Sequence, residues 1–371
     1  MSGTPSGPPP CPRFWEGGID DYLLQNGISC EKVTSIETGT SCYIWRLDGF
    51  KHADSSASHH QLVEPVVLKC ADRTPKYSSD QVSPDRLQTE VQALTSKAVS
   101  EACRQEPSVQ VPRVLRTTAQ GFIMTWAGDA NLMQAFQSDK SLDVASIGSR
   151  IGKWLACLQL AGIAAGPGGF PSVNPELGRF YNPGGFQDQL VRSVISSDDE
   201  YERVLTALRE TEAVRTLTAW DFRPMNNLLR FPEEKGAAPD ITIVDWELTQ
   251  HGESSGDVAM WATEAMVLEE KHGDRGLLSS FLSSYRHHAA AGIVNEAFTC
   301  KVAMTVGVML VYFMRIAARL WGSTEEEVAR WKETAVLYLR AGTERNLTWL
   351  TSSHLKPLVG SSVDVKAGNG S

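Results

Sequence analysis

No two of the seven cysteines (Cys11, Cys30, Cys42, Cys70, Cys103, Cys157 and Cys300) form a C-x-x-C pair, and they are odd in number and scattered. That absence argues against a zinc ribbon or a disulfide frame and suits a reducing, cytoplasmic setting. Excess positive charge is missing too: 35 Lys and Arg stand against 44 Asp and Glu, a net charge of −9. A chain that binds nucleic acid usually presents a basic face, so no nucleic-acid partner is expected. Long apolar runs are also absent. The most apolar stretch, residues 302–314, is closed by Lys301 and Arg315 and falls short of the roughly 18 residues a membrane span needs. It reads as a buried core helix, and no membrane partner is expected. Residues 1–13 hold no apolar segment of the kind a secretory signal requires and read as a disordered leader. Internal repeats and a G-x-G-x-x-G loop are missing as well.

What is present is 371 residues, 42% hydrophobic and 21% charged, enough for two lobes with buried cores. After the leader, IDDYLLQNG predicts a short helix ended by Gly27. EKVTSIE and YIWRL alternate as the two strands of a hairpin, and EPVVLKC is a third strand with Lys69 at the end of its apolar run. PDRLQTEVQALTSKAVSEA starts with Ser83 and Pro84 and predicts one helix, with Glu90 in its second turn. VPRVLRT and GFIMTW complete a five-stranded antiparallel lobe carrying one helix. The expected fold class is therefore α+β, with a first lobe over residues 14–128 and a mainly helical second lobe over 129–355. The segment 129–355 is read as helices joined by loops, including a Gly-, Pro- and aromatic-rich loop at 166–186 that suits a lid or a substrate wall. Residues 356–371 are small and polar and read as a disordered tail.

The chemistry concentrates in residues 216–247, TLTAWDFRPMNNLLRFPEEKGAAPDITIVDWE. Asp221 and Asn226 sit in a loop after TLTAW. The apolar NLLRF and ITIV, joined by a polar Gly/Pro turn, predict two strands side by side, which carries Asp245 and Glu247 toward Asn226. Acid, amide and acid at strand ends suit a divalent cation that prefers oxygen ligands and carries phosphates. A strand lysine that a helix carboxylate can hold and aim at phosphate oxygens, followed by the Asp…Asn loop and a strand-borne D-x-E, is the ordered parts list of a kinase-like phosphotransferase.

On these motifs the chain resembles the aminoglycoside phosphotransferase and choline kinase group, with its protein-kinase-like fold, and more narrowly the methylthioribose-kinase-like fungal small-molecule kinases. The similarity runs over about residues 33–338 and is strongest in WDFRPMNNLL and ITIVDWELTQHGESSGDVA. It implies a small-molecule kinase using ATP and Mg2+. Asp221 would take or orient the acceptor hydroxyl; Asn226 and Asp245 would hold magnesium. Lys69, held by Glu90, would bind the α- and β-phosphates, and the turn with Gly39, Thr40 and Ser41 would cover them. Met124 and Trp126, at a strand end and connector, would offer backbone groups to adenine. The acceptor would be a small-molecule hydroxyl compound, and acids such as Glu247 and Glu264, beside Trp261, would wall a pocket suited to a cationic amine. A protein acceptor is disfavoured because no activation loop or APE-type motif follows DWE.

Departures from the family pattern fall on the loop itself. Ala219-Trp220 replace the usual His-Gly, and Met225 stands where a glycine precedes the asparagine, asking a bulky side chain to take a backbone suited to glycine. Two alternatives to a simple kinase follow: a pseudokinase-like nucleotide-binding module without turnover, or phosphorylation that drives elimination or cyclisation in secondary metabolism. Arg223 could stabilise the transferring phosphoryl group or anchor the loop by pairing with an acid, the reading preferred. Asp257 reads as a helix N-cap rather than a third metal ligand, and His251, His287 and His288 as ordinary polar residues.

Overall fold

The computed structural model describes residues 18–37, 42–51, 64–72, 83–128, 130–212, 214–234 and 236–359. The leader at 1–13, the turn with Gly39, Thr40 and Ser41, and residues 360–371 lie outside them. The chain divides into two compact units, one made of Met1–Thr95 and Val111–Ala127, the other of Ser96–Gln110 and Gly128–Ser371.

The first unit opens with α1 (Ile19–Gln25), ended by Gly27 in the left-handed region. Strands β1 (Lys32–Ile36), β2 (Tyr43–Asp48) and β3 (Val66–Cys70) follow, then α2 (Arg86–Leu94). The one helix expected over 84–102 is two. Thr95 closes α2, and Ser96, in extended backbone, caps α3 (Lys97–Gln105) by accepting from the Val99 N–H. A serine N-cap is a strong start signal, and here it wins over the continuous helical pattern. α3 and β4 (Val109–Gln110) belong to the second unit; β5 (Val114–Thr117) and β6 (Gly121–Thr125) return to the first. Its sheet has the order β1-β2-β3-β6-β5, antiparallel throughout. Tyr43, Trp45 and Leu47 alternate inward along β2, while all five residues of β3 are buried, as a central strand covered on both faces must be. Tyr43, Trp45 and Leu47 pack with Val66, Leu68 and Cys70 of β3 and with Tyr22, Leu23, Phe50 and Ile123 into one apolar core.

The second unit continues with β7 (Ala130–Asn131), α4 (Leu132–Ser138), α5 (Val144–Ala165), α6 (Pro175–Tyr181), α7 (Phe186–Arg192), α8 (Asp198–Arg209) and β8 (Arg215–Thr218). Then come β9 (Asn227–Arg230), β10 (Asp240–Ile243), β11 (Gln250–Glu253), α9 (Ser255–His272), α10 (Leu277–His288), α11 (Glu296–Trp321) and α12 (Glu325–Thr343). Strands β4-β10-β9-β7 form one small sheet, and β11-β8 another. Helix α5 packs closely on both α10 and β8. A Cβ on Gly152 would meet the Phe281 carbonyl, and one on Gly162 would meet Thr216 and Leu217, so glycine lets the backbones touch. Two stretches read as loops, and the first residues of the expected tail, hold regular structure. Residues 250–253 pair with β8 in register Gln250↔Thr218 to Glu253↔Arg215. The aromatic-rich loop contains α6, started by Asn174 and Pro175. The expected disordered tail begins with a helical turn, Lys356–Val359, because Leu358 is buried and its carbonyl accepts from Arg286. Within α11, Glu296–Ala317 is long and apolar enough by composition to cross a membrane, and 78% of its most apolar window is buried inside the protein.

Candidate active site

In the first unit, Lys69 lies on β3 opposite Ile44 and Phe122. Its Nζ donates to Glu90 Oε2 of α2 at 2.6 Å, and both side chains are buried, 5% and 1% exposed. Neither charge reaches water, and each is compensated by the other. Met124 is a buried residue of β6, registered with Val67 and Val114. Trp126 follows β6 and carries the Arg46 guanidinium over its ring at 4.8 Å.

In the second unit, β8 runs straight into Ala219-Trp220-Asp221, and a 3-10 turn at Pro224–Asn226 leads into β9. The β9–β10 hairpin forms as expected, with Ile243 opposite Asn227, and the Val244 N–H donates to the Asn226 carbonyl at 3.0 Å. This register carries Asp245, in the left-handed region at φ 70°, toward Asn226. Asn226 Nδ2 donates to Asp221 Oδ2 at 3.0 Å and to the Asp221 carbonyl at 2.9 Å. Its amide oxygen is therefore the atom left to ligate a cation. Arg223 Nε lies 3.0 Å from Asp221 Oδ1, so the arginine pairs with the loop's own acid. Burial pushes the Asp221 carboxyl up to about 6; Arg223 opposes this, Asp245 adds to it, Asn226 opposes it and Glu247 adds to it. Asp221, Asp245 and Glu247 thus share one field.

Two buried acids hold the loop from behind. Asp257 does not cap α9, whose N-cap position is Ser254. It lies inside the first turn, 0% exposed. Oδ2 accepts from the Ala219 N–H at 3.0 Å and Oδ1 from the Trp220 N–H at 2.7 Å. Burial raises its carboxyl to about 7, against the pull of those two N–H groups. Glu264, also 0% exposed, accepts the Met225 N–H through Oε2 at 2.8 Å, and burial raises its pKa while Arg223 lowers it.

These contacts correct three expectations. Glu264 is not a pocket wall, because it is fully buried with Oε2 bound to the loop backbone. Trp261 is not one either. It is 0% exposed, stacks on Phe281 at 3.9 Å between ring centroids and donates Nε1–H to Asn227 Oδ1 at 2.9 Å. The strain expected at Met225 falls at Trp220 instead, which takes φ 65° while Met225 sits in the 3-10 turn. A non-glycine residue there costs about 1–2 kcal/mol, and Asp257 and the Tyr181 hydroxyl, which accepts the Trp220 indole N–H, hold it in place. Glu247 is buried, with its carbonyl accepting from Asn174 Nδ2 at 3.2 Å. Among the histidines, His288 Nδ1 lies 2.9 Å from the Ser284 carbonyl, an ordinary helical contact. Sequence reasoning missed the clamp function of Asp257 and Glu264; the available signal was a pair of acids two helical turns apart, with the largely apolar stretch 258–268 around the second.

Searches against models of known families and against curated proteins found no match. Among solved structures, the chain is similar to a candidate aminoglycoside phosphotransferase of Ralstonia eutropha JMP134, with a TM-score of 0.52, 12% identity, and 88% of this chain and 97% of that one covered. Looser overlaps are found with a macrolide 2'-phosphotransferase of Brachybacterium faecium (TM-score 0.46, 15% identity, 86% and 96% covered) and a choline kinase of Cryptosporidium parvum Iowa II (0.46, 12%, 90% and 93%). The chain therefore has the protein-kinase-like α+β fold, with the five-stranded antiparallel sheet in its first unit and helices dominating its second.

Proposed function

We propose that the protein is an ATP- and magnesium-dependent phosphotransferase acting on a hydroxyl of a small molecule. The observation that carries this is the Asp221–Asn226 pair, set between β8 and β9 with Asp245 delivered beside it by the β9–β10 hairpin. Asp221 accepts the hydroxyl proton as the acceptor oxygen bonds to the γ-phosphorus and the bond to the β-phosphate oxygen breaks. A loose transition state asks mainly for positioning, and the three contacts on Asp221 supply it. The donor set at Asn226 and Asp245 is all oxygen, which fits a hard divalent cation. Asn226 and Asp245 would hold magnesium, and the charge it supplies would offset charge developing on the leaving group. Lys69, oriented by Glu90, would bind the α- and β-phosphates, and backbone groups near Met124 and Trp126 would meet adenine.

The test is an ATP-consumption screen over amino alcohols, sugars and phenols, read by mass. A product heavier by one phosphate is expected, and Asp221→Ala should lower its formation by about a thousandfold or more while leaving nucleotide binding intact. Full turnover in that variant would end the base assignment.

A second reading, nucleotide binding without turnover, draws on a specific observation: both Asp221 oxygens are engaged, one by Arg223 and one by Asn226. A rise in melting temperature with Mg-ATP, together with no ATP consumption for any acceptor, would favour it.

A further inference from the structure

Behind the Asp221 loop the second unit contains a cavity of about 250 Å³. Its apolar wall is made by Phe180, Tyr181, Trp220, Leu208, Val308 and Met309. Asp221, Arg223, Asn226, Asp245 and Glu247 are not among its lining residues, so it is separate from the acid cluster, with Trp220 adjoining both.

The charged residues lining this cavity are matched by the protein itself. Arg209 pairs with Asp188 at 2.6 Å. Arg215 Nη2 donates to the carbonyls of Ser172 and His251, each at 2.7 Å. Lys301 Nζ donates to the carbonyls of Leu208 and Glu210 at 2.5 and 2.6 Å and lies 3.4 Å from Glu253 Oε2. Glu253 Oε1 accepts the Glu212 N–H at 3.1 Å, and Asp257 is bound to the loop backbone. A charged ligand would lose its hydration and find no uncompensated partner. Aromatic rings of the lining meet edge-on. Phe180 and Trp220 are 5.3 Å apart at 78°, and Tyr181 and Trp220 6.2 Å apart at 87°, a setting that receives a flat ring. An apolar cavity of about 150 Å³ holds benzene, so this one has room for a molecule of one or two rings.

We propose that this cavity is a second ligand site for a small, uncharged, planar molecule, and that the Asp221 loop senses its occupancy through Trp220. The inference goes beyond phosphoryl transfer and does not depend on it. Trp220 presents its ring to the cavity, while its backbone, at φ 65°, is fixed by the Asp257 clamp one peptide before Asp221. A ring bound against Trp220 restricts the one residue whose release would let that peptide relax.

Indole is the probe, with tryptamine and indole-3-acetate as cationic and anionic versions of the same ring. Calorimetry on the full chain should show indole binding at least about tenfold tighter than either charged form. Hydrogen exchange should slow in peptides covering residues 216–226, where the Ala219 and Trp220 amides donate to Asp257. Val308→Phe, which fills the cavity, should abolish indole binding with a retained melting transition. If that variant does not fold, Phe180→Ala should weaken indole at least about tenfold. Absence of indole binding, equal binding of the charged rings, or binding that survives both variants would overturn the site; binding without slowed exchange at 216–226 would overturn its link to the loop.

Discussion

The two units hold their chemistry-bearing side chains in opposite ways. In the first, Lys69 and Glu90 stand on a regular strand and a regular helix, and a buried ion pair at 2.6 Å links them. In the second, Asp221 stands on irregular backbone, and what fixes it is a set of contacts to main-chain N–H groups: Asp257 on Ala219 and Trp220, and Glu264 on Met225. The first arrangement buries a pair of opposite charges side by side. The second spreads the load over several hydrogen bonds and so tolerates a residue at positive φ. Substitution should therefore be abrupt in the first unit and graded in the second.

The largest effect on stability is expected at the ion pair. Glu90→Ala leaves the Lys69 ammonium buried without its carboxylate, and breaking a buried pair from one side costs about 3–5 kcal/mol. Replacing both, Lys69→Met with Glu90→Leu, should recover most of that loss, because matched apolar groups need no partner. Urea denaturation of the single and double variants measures the difference. A single variant as stable as the double would show that the pair is solvated and that the contrast between the units is unreal.

Next comes the clamp. Asp257→Asn keeps the size of the side chain but turns an NH2 toward one of the two loop N–H donors, so one buried hydrogen bond is lost, at about 1–3 kcal/mol. Phosphoryl transfer should fall more steeply than stability, since the loop that loses its hold carries Asp221. Asp257→Glu, which retains two acceptor oxygens, should regain part of the rate if positioning is what Asp257 supplies.

A subtler difference appears with pH. Burial raises Asp221 to about 6 and Asp257 to about 7, while in the unfolded chain an aspartate titrates near about 3.9. Between those values the folded protein binds more protons than the unfolded one, so the stability these groups contribute is present at low pH and is lost as pH rises from about 4 through 6 to 7. Magnesium binds the ionised carboxylates, so it should raise the melting temperature more at pH 7.5 than at pH 5.5. Thermal melts with and without Mg2+ at both pH values check this, and an equal gain at the two would show that the cation does not feel the ionisation of Asp221.

How legible each region was follows from the same contrast. The first-unit strands, Lys69 at the end of a continuous apolar run and Glu90 in the next helix could be read from alternation and spacing, because regular elements translate sequence period into direction. The β9–β10 hairpin was legible for the same reason. The hold on the Asp221 loop was not. Asp257 looks like an N-cap and Glu264 like an open acid until coordinates show which N–H each one faces, and β11 looks like a loop because its partner β8 lies more than thirty positions away in the chain. The strain expected at Met225 is carried by Trp220, because φ cannot be read from a family pattern when both glycines have been replaced at once.

That last point gives the smallest and most discriminating prediction, which sets glycine against alanine at two positions of one loop. Either substitution at 220 removes the indole and its contacts with Tyr181 and Phe180, so their difference isolates the backbone. At φ 65° alanine retains the Cβ clash and glycine does not, and Trp220→Gly should be more stable than Trp220→Ala by about 1 kcal/mol. At 225, within the 3-10 turn, the order should reverse, with Met225→Ala ahead of Met225→Gly by about 0.5–1 kcal/mol because glycine has more freedom to lose. Denaturation midpoints of the four variants at constant slope measure both differences. Alanine ahead at both positions would mean that Trp220 is not held in the left-handed region, and the loop would then owe its shape to Asp257 and Glu264 alone.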